Sequence, residues 1–350
     1  MRGTPVAPLT SVTSPHRCTY ILPLRAEQSL VGGELTAYLA WLAQRAETIV
    51  VDGSAPDVFA QHAQAWGSYV RHVAPAPDLA TPMGKVGGVL TGVRLASNEC
   101  VIVADDDVRY DGDSLARICV ELGKADVVRP QNYFAPLPWH AAWDSGRSLL
   151  NRVSGGDWPG TLGVRRSILV RTGGYDGRAM FENLELVRTV RAAGGREAVP
   201  LDLFVERRPS TARHFWSQRV RQAYDELARP HRLALQLAVL PAAVLSTLAF
   251  GMLPLIAGVG GIITLAELGR QRSGGARVFP LRASFLAPAW LAERAVCSWL
   301  ALGARVLFGG VPYRGRILRH AATPSRALRA RHGHAAPAAH PDATARRRSA

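Results

Sequence analysis

From Arg17 to about Arg208 the chain alternates short apolar runs with stretches of helical period. CTYILPL gives way to a helical stretch near Gly33 to Gln44 and then to ETIVVDGS, a second helical stretch over Val86 to Ala96 leads into CVIVADDD, and a third near Ser114 to Gly123 leads into ADVVRPQ. Val- and Ile-rich strands separated by helices of that length predict parallel βαβ units in an open α/β sheet. In such sheets ligands bind beyond the carboxyl ends of the strands. Two polar clusters, Asp52-Gly53-Ser54 and Asp105-Asp106-Asp107, fall at those ends.

The pattern changes at Pro230. Residues Leu233 to Leu265 carry no charged side chain, a run about 50 Å long if wholly helical, against a hydrocarbon core of about 30 Å. Gly251, Pro254, Gly258, Gly260 and Gly261 offer places to break, so the run predicts two tightly joined membrane helices, roughly Leu233 to Phe250 and Met252 to Leu268. A buried helix pair in a soluble domain has the same composition. The later segment FLAPAWLAERAVCSWLALGARVLFGG is long enough to cross, but it carries Glu293, Arg294 and Arg305. An interfacial helix leaves such charges in the headgroups, whereas a third crossing buries them at a cost. Trp290 and Trp299 fit either placement. Beyond Tyr313 the chain is rich in arginine with Asp342 as its one acid, a composition that predicts a cytoplasmic tail, largely disordered from about Pro324.

The expected organisation is therefore a disordered lead over residues 1–16, an α/β domain over 17–230, a transmembrane hairpin over 231–269, an interfacial or third membrane helix over 283–312, and a basic tail over 313–350. The lead is polar and has no apolar stretch of the kind a secretory signal needs.

A formal charge of +15 over 350 residues comes almost wholly from arginine, with Lys85 and Lys124 the only lysines. Such a balance suits nucleic acid, an anionic membrane or a phosphorylated substrate. The chain has no helix-turn-helix pattern, zinc finger or aromatic RNA-binding motif, which argues against nucleic acid. Its four cysteines are scattered without metal-type spacing, so neither a zinc site nor a disulfide framework is indicated, which suits a reducing compartment.

Three consecutive aspartates need something positive among them. Asp105 and Asp107, two apart at a strand end, project to one side and Asp106 to the other if strand geometry persists. Carboxylates so close are stable together around a divalent cation, and hard oxygen ligands suit Mg²⁺ or Mn²⁺, which also take phosphate oxygens. The alternative is a solvated acidic turn ahead of the helix, with Asp113 or Ser114 as its cap. A calcium loop fails on spacing, because its fifth and sixth positions counted from Asp105 would be Arg109 and Tyr110.

Taken in order from Cys18 to about Leu227, these segments resemble the family 2 glycosyltransferases of GT-A fold, and among them the membrane-anchored branch. CTYILPLRAE is similar to the family's first nucleotide-binding strand, and IVVDGS to the second, whose aspartate, here Asp52, contacts the nucleoside. MGKVGGVLTGVRLASNECVIVADDDV resembles the lysine, helix and DxD unit, which implies Lys85 and Asp105 near the donor, and Asp105 and Asp107 at the metal. GTLGVRRSILVRTGGYD with FENLEL resembles the acceptor-side segment that leads to the catalytic carboxylate. QRVRQ, Gln218 to Gln222, resembles the QxxRW motif, which implies Gln218 and Arg221 at the diphosphate. The resemblance implies inverting transfer of a sugar, with Mn²⁺ or Mg²⁺, from a nucleotide-diphosphate donor to a lipid or lipid-linked acceptor. It further implies the cytoplasmic face of the cell inner membrane, and uridine diphosphate as the commoner carrier.

Two departures qualify that expectation. Asn183 stands where the family commonly has an aspartate after Glu182, and an amide cannot take the acceptor's proton. The base is then Glu182, Glu185 or, elsewhere, Asp157, unless the register shifts by a residue or the transferase is weak or dead. Gln222 replaces the tryptophan of the motif, which favours addition of one sugar over a processive polysaccharide synthase. A catalytically inactive membrane scaffold with a retained nucleotide-sugar fold is the remaining reading, and Asn183 is what supports it.

Overall fold

The Val- and Ile-rich runs become the strands of a central sheet covered on both faces, as continuous apolar strands require. In the computed structural model, which describes residues 17–313 and 316–333, β1 (Cys18–Leu24) leads through α1 (Glu34–Ala43) to β2 (Glu47–Asp52), then through α2 (Pro56–Trp66) to β3 (Arg71–Val73). There follow α3 (Gly84–Leu95), β4 (Cys100–Ala104), β5 (Val108–Arg109), α4 (Gly112–Leu122), β6 (Val127–Val128) and β7 (Gln131–Phe134). Next come α5 (Trp139–Ser154), β8 (Thr161–Arg165), α6 (Arg166–Arg171), α7 (Glu182–Ala192), β9 (Glu197–Ala198) and β10 (Phe204–Arg207). Short helices α8 (Ala212–Ser217) and α9 (Arg219–Tyr224) and one 3₁₀ turn, Asp225–Ala228, lead into α10 (Pro230–Phe250), α11 (Leu253–Gln271) and α12 (Leu281–Phe308). A hairpin of β11 (Val311–Tyr313) and β12 (Arg316–Leu318) precedes α13 (Ser325–His332).

The main sheet has the order β3-β2-β1-β4-β8-β6-β9. β1 pairs in parallel with β2 and β4, β2 with β3, and β6 with β9, so the sheet is mostly parallel, as the alternating pattern predicts. The departure is β8, inserted antiparallel between β4 and β6. Period 2 divides the core: Ile21, Ile49, Val51 and Val103 pack on one face, and Tyr20, Leu22, Val50 and Ile102 on the other. A smaller sheet, β5-β10-β7, stands beyond the carboxyl end of β4 and carries Arg207 into register with Val108. The cap of α4 is Asp111, not Asp113 or Ser114; its Oδ1 accepts from the Ser114 amide at 2.7 Å, and Ser114 Oγ accepts in return from the Asp111 amide.

The helices after Pro230 are not a buried core pair. Leu245, Leu248, Phe250 and Leu253 are between 66% and 79% exposed, and α10 and α11 are long and apolar enough to cross a membrane by length and composition. Two of the charges of α12, Glu293 and Arg294, turn toward the α/β domain, while Arg305 is exposed. Glu293 accepts from Arg219 Nε at 2.9 Å, and Arg294 is buried against the α/β domain. α12 lies so close along α5 that a Cβ on Gly146 would sit 2.9 Å from the Ala287 Cα. The tail also departs from expectation, because Ser325–His332 is a helix whose Leu328 is buried. The N-terminal lead and residues 334–350 lie outside the described residues.

Candidate active site

The triple aspartate follows β4 and separates two cavities. One, of about 580 Å³, is bounded by Leu24, Gly53, Pro75, Thr81 and Lys85, and Asp106 faces it. The other, of about 200 Å³, is lined by Asp105, Glu182, Arg207, Arg221 and Asp225. Asp106 and Asp107 form a turn after β4, closed by the Val108 amide donating to Asp105 O at 3.1 Å, and on this turn Asp106 parts company with Asp105.

Asp105 and Asp107 share one guanidinium. Arg207 Nε lies 2.7 Å from Asp107 Oδ2, and its Nη2 lies 3.6 Å from Asp105 Oδ2. Lys85 Nζ lies 2.5 Å from Asp105 Oδ1 and 2.7 Å from Glu182 Oε1. Burial favours a neutral lysine, but the charges of Asp105 and Glu182 outweigh it and hold the ammonium well above its usual pKa. Burial pushes the Asp107 carboxyl up, against the pull of Arg207. Asp107 Oδ1 is buried without a hydrogen-bond partner. Two carboxylates that converge on a single cation and keep an unsatisfied buried oxygen fit a divalent ion such as Mn²⁺ or Mg²⁺. Gly160 makes room for them, since a Cβ there would sit 2.9 Å from Asp105 Oδ2.

Asp52 is not in either cavity. It is 1% exposed, and its Oδ2 meets His62 Nδ1 at 2.7 Å and His72 Nε2 at 3.1 Å. The trio has the ligand types of a metal site. However, His62 Nε2 accepts from the Leu30 amide at 3.0 Å, so the ring proton resides on Nδ1 and is donated to Asp52. A metal would need that nitrogen bare. Burial raises the Asp52 pKa, but hydrogen bonds from His72, Ser54 and His62 overcome this and hold the carboxyl well below its ordinary range. These contacts tie the β2 end to α2 and β3, and the adjacent Gly53 forms the cavity wall. Asp52→Asn should lower thermal stability by about 1–3 kcal/mol through the broken buried network, while nucleotide affinity at a temperature where the variant stays folded should change little.

The remaining expected residues divide. Glu182 and Arg221 line the smaller cavity. Gln218 does not; its Nε2 donates to Ser217 Oγ. Glu185 is fully buried away from the cavity and accepts from the Thr323 amide at 2.7 Å. Asp157 is likewise buried, and holds Arg147, Ser148 and Asn151 at 2.6 to 2.7 Å. Neither has a free face toward substrate. Asn183 Nδ2 donates to Pro159 O at 2.9 Å, so this amide fastens the loop before β8. Gln222 Oε1 accepts from Arg219 Nη1 at 2.9 Å, a polar joint within α9.

Arg207 and Asp225 were missed by the sequence reading. Arg207 is separated from Asp107 by 100 positions, and only the β5-β10 pairing joins them. Asp225 had a local signal, since it stands four residues after Arg221.

No protein-family model matches the chain, and no curated protein matches it in sequence. Among solved structures it is similar to the mannosyltransferase PcManGT from Pyrobaculum calidifontis in complex with GDP-Man and Mn²⁺. Identity is 19% and the TM-score 0.52, over 82% of this chain and 88% of that one. The chain has a glycosyltransferase fold. A mannosyl-3-phosphoglycerate synthase from Rubrobacter xylanophilus is more distant, at 16% identity and TM-score 0.38 over 57% of this chain and 69% of that one. In the glycosyltransferase fold of this chain, the two cavities and the aspartates between them lie at the carboxyl edge of β1, β2 and β4.

Proposed function

We propose that the protein is an inverting, divalent-cation-dependent glycosyltransferase of the family 2 type, which moves a single sugar from a nucleotide-diphosphate donor to a lipid or lipid-linked acceptor. The observation that carries this reading is the convergence of Asp105 and Asp107 on one cation site between two cavities. The larger cavity, floored by Gly53 and closed by Lys85, suits a nucleoside, and the smaller suits the acceptor end. Asp105 and Asp107 would hold the Mn²⁺ or Mg²⁺. A bound divalent ion neutralises the diphosphate as it departs. Lys85 and Arg221 supply positive charge to donor oxygens, Arg221 with the two-pronged geometry of guanidinium.

The exposed apolar faces of α10 and α11 support a membrane site, with the α/β domain on the cytoplasmic side and the acceptor drawn from the lipid. The sequence resemblance favours uridine diphosphate as carrier. The GDP-mannose complex of the structural neighbour moves GDP-mannose ahead of UDP-sugars as the first donor to try.

The deciding experiment is nucleoside diphosphate release from a panel of nucleotide sugars by the membrane-embedded protein, with Mn²⁺ or Mg²⁺ and again with chelator. Turnover of one donor, abolished by chelator, is the expected result. Nucleotide binding without turnover of any donor would overturn it and leave the inactive scaffold.

A further inference from the structure

Transfer to a hydroxyl requires a group that removes its proton, and the usual carboxylate position is taken by Asn183, whose amide is tied to Pro159 O. Asp105 apart, five acids are near enough to be weighed. Glu226 lines the smaller cavity, but Arg229 holds its Oε1 at 2.7 Å and Arg232 lies 3.6 Å from its Oε2. Glu185 is bonded to the Thr323 amide and faces the C-terminal segment. Asp157 already receives three side-chain donors. Glu182 lines the smaller cavity, but Lys85 sits on its Oε1 at 2.7 Å. Asp225 opens the 3₁₀ turn after α9 and lines that same cavity with Asp105, Glu182 and Arg221. Its Oδ1 is buried and has no hydrogen-bond partner. Buried carboxylate oxygens are normally satisfied, so an orphan facing a substrate-sized cleft is an acceptor in want of a donor.

We propose that Asp225 is the general base of the transfer, an inference that rests on the glycosyltransferase reading. Its carboxylate takes the proton of the acceptor hydroxyl as that oxygen bonds to the anomeric carbon. The bond from that carbon to the donor's diphosphate oxygen breaks, and the nucleoside diphosphate leaves with the electron pair. A base of this kind also specifies the acceptor class: a hydroxyl needs deprotonation, whereas a phosphate acceptor is already an anion.

The surroundings tune this carboxyl. Burial, and then the negative charge of Glu182 on α7, push its pKa up to about 8, while Arg221 on α9 and Arg229 oppose the rise and Glu226 adds to it. Arg147 from α5, Arg207 from β10, Arg232 from α10 and Arg294 from α12 complete the charged rim, with Asp105 beyond β4. Because the base acts only when deprotonated, the rate should climb with pH up to about 8 and level off above it.

The test measures donor turnover by the full chain in membranes, with GDP-mannose and UDP-sugars, and octyl mannoside added as a hydroxyl acceptor, from about pH 6 to pH 10. Asp225→Asn should lower kcat at least about a hundredfold, leave the donor KM nearly unchanged and erase the acidic limb. Asp225→Glu should restore part of the rate, and Glu182→Gln should move the limb to lower pH by removing a like charge. Turnover in Asp225→Asn within about threefold of the parent, with the limb retained, would overturn the proposal alone. Loss of donor binding in Asp225→Asn that Asp225→Glu does not restore would overturn it in favour of a purely structural role. No turnover by the unsubstituted chain would sink the transferase reading and the base together.

Discussion

Asp107→Ala should reduce metal-dependent turnover by about three orders of magnitude or more, with membrane association unchanged. The reasoning starts from charge. Asp107 supplies one of the two carboxylates that converge on Arg207, and its second oxygen is buried without a partner. Without it, a divalent ion would lose one of the two carboxylates that would hold it, and the departing diphosphate would lose the charge that the ion would bring. Arg207, deprived of its closest acid, would turn toward Asp105, 3.6 Å away, and further occupy the site. Asp107→Asn preserves shape and isolates the charge, so it should behave nearly as badly. Asp106, on the other side of the strand end, provides the contrast: Asp106→Asn should stay within about tenfold of the parent. Nucleoside diphosphate release against Mn²⁺ concentration reads the effect, and membrane sedimentation reads anchoring. If Asp107→Ala kept its turnover but left the membrane, the aspartates would be structural and the acidic-turn reading would return.

The strand-end part of this candidate site was legible in the sequence because it is built from local features. Strands β1, β2 and β4 are buried on both faces and therefore read as largely apolar runs, and the polar residues that follow them are placed by that fact alone. The split of Asp106 from Asp105 agrees with the expected alternation, although a turn over Asp105–Val108 rather than strand geometry produces it. What escaped depends on contacts between distant segments. Asp52 looks the same in sequence whether it meets a nucleoside or two histidines, and only the packing of α2 and β3 brings His62 and His72 onto it. Arg207 reaches Asp107 through a small sheet whose strands β5 and β10 are only two and four residues long, too short for a periodic signal. Glu293 and Arg294 were weighed against lipid because a one-dimensional pattern cannot show that the face bearing them packs on α5 and α9. β8 was invisible as a strand because antiparallel insertion into a parallel sheet leaves no mark on alternation.

That inward-turned face of α12 is tested by Arg219→Ala, which should destabilise the protein by about 3–5 kcal/mol. Arg219 is 1% exposed and bridges two elements that are far apart in sequence, with Nη1 at 2.8 Å from Asp144 Oδ1 on α5 and Nε at 2.9 Å from Glu293 Oε2 on α12. Taking both acids out of water is costly, and the guanidinium offsets that cost only while it is present. Its removal leaves two buried carboxylates, of which Asp144 keeps Arg147 at 3.0 Å while Glu293 loses its charged donor. The expected result is a lower thermal midpoint and protease sensitivity along α12. Activity should fall as well, because Gln222 at the cavity rim loses its hydrogen bond to Arg219. Adding Glu293→Gln should recover part of the loss, since a neutral amide is less costly to bury than an orphaned carboxylate. Recovery in the double variant would tie the penalty to charge burial rather than to lost packing, and so make α12 an integral part of the catalytic domain rather than a helix held in place by lipid. A neutral Arg219→Ala would mean the opposite, that α12 is held by its apolar contacts with α5 and α10 alone.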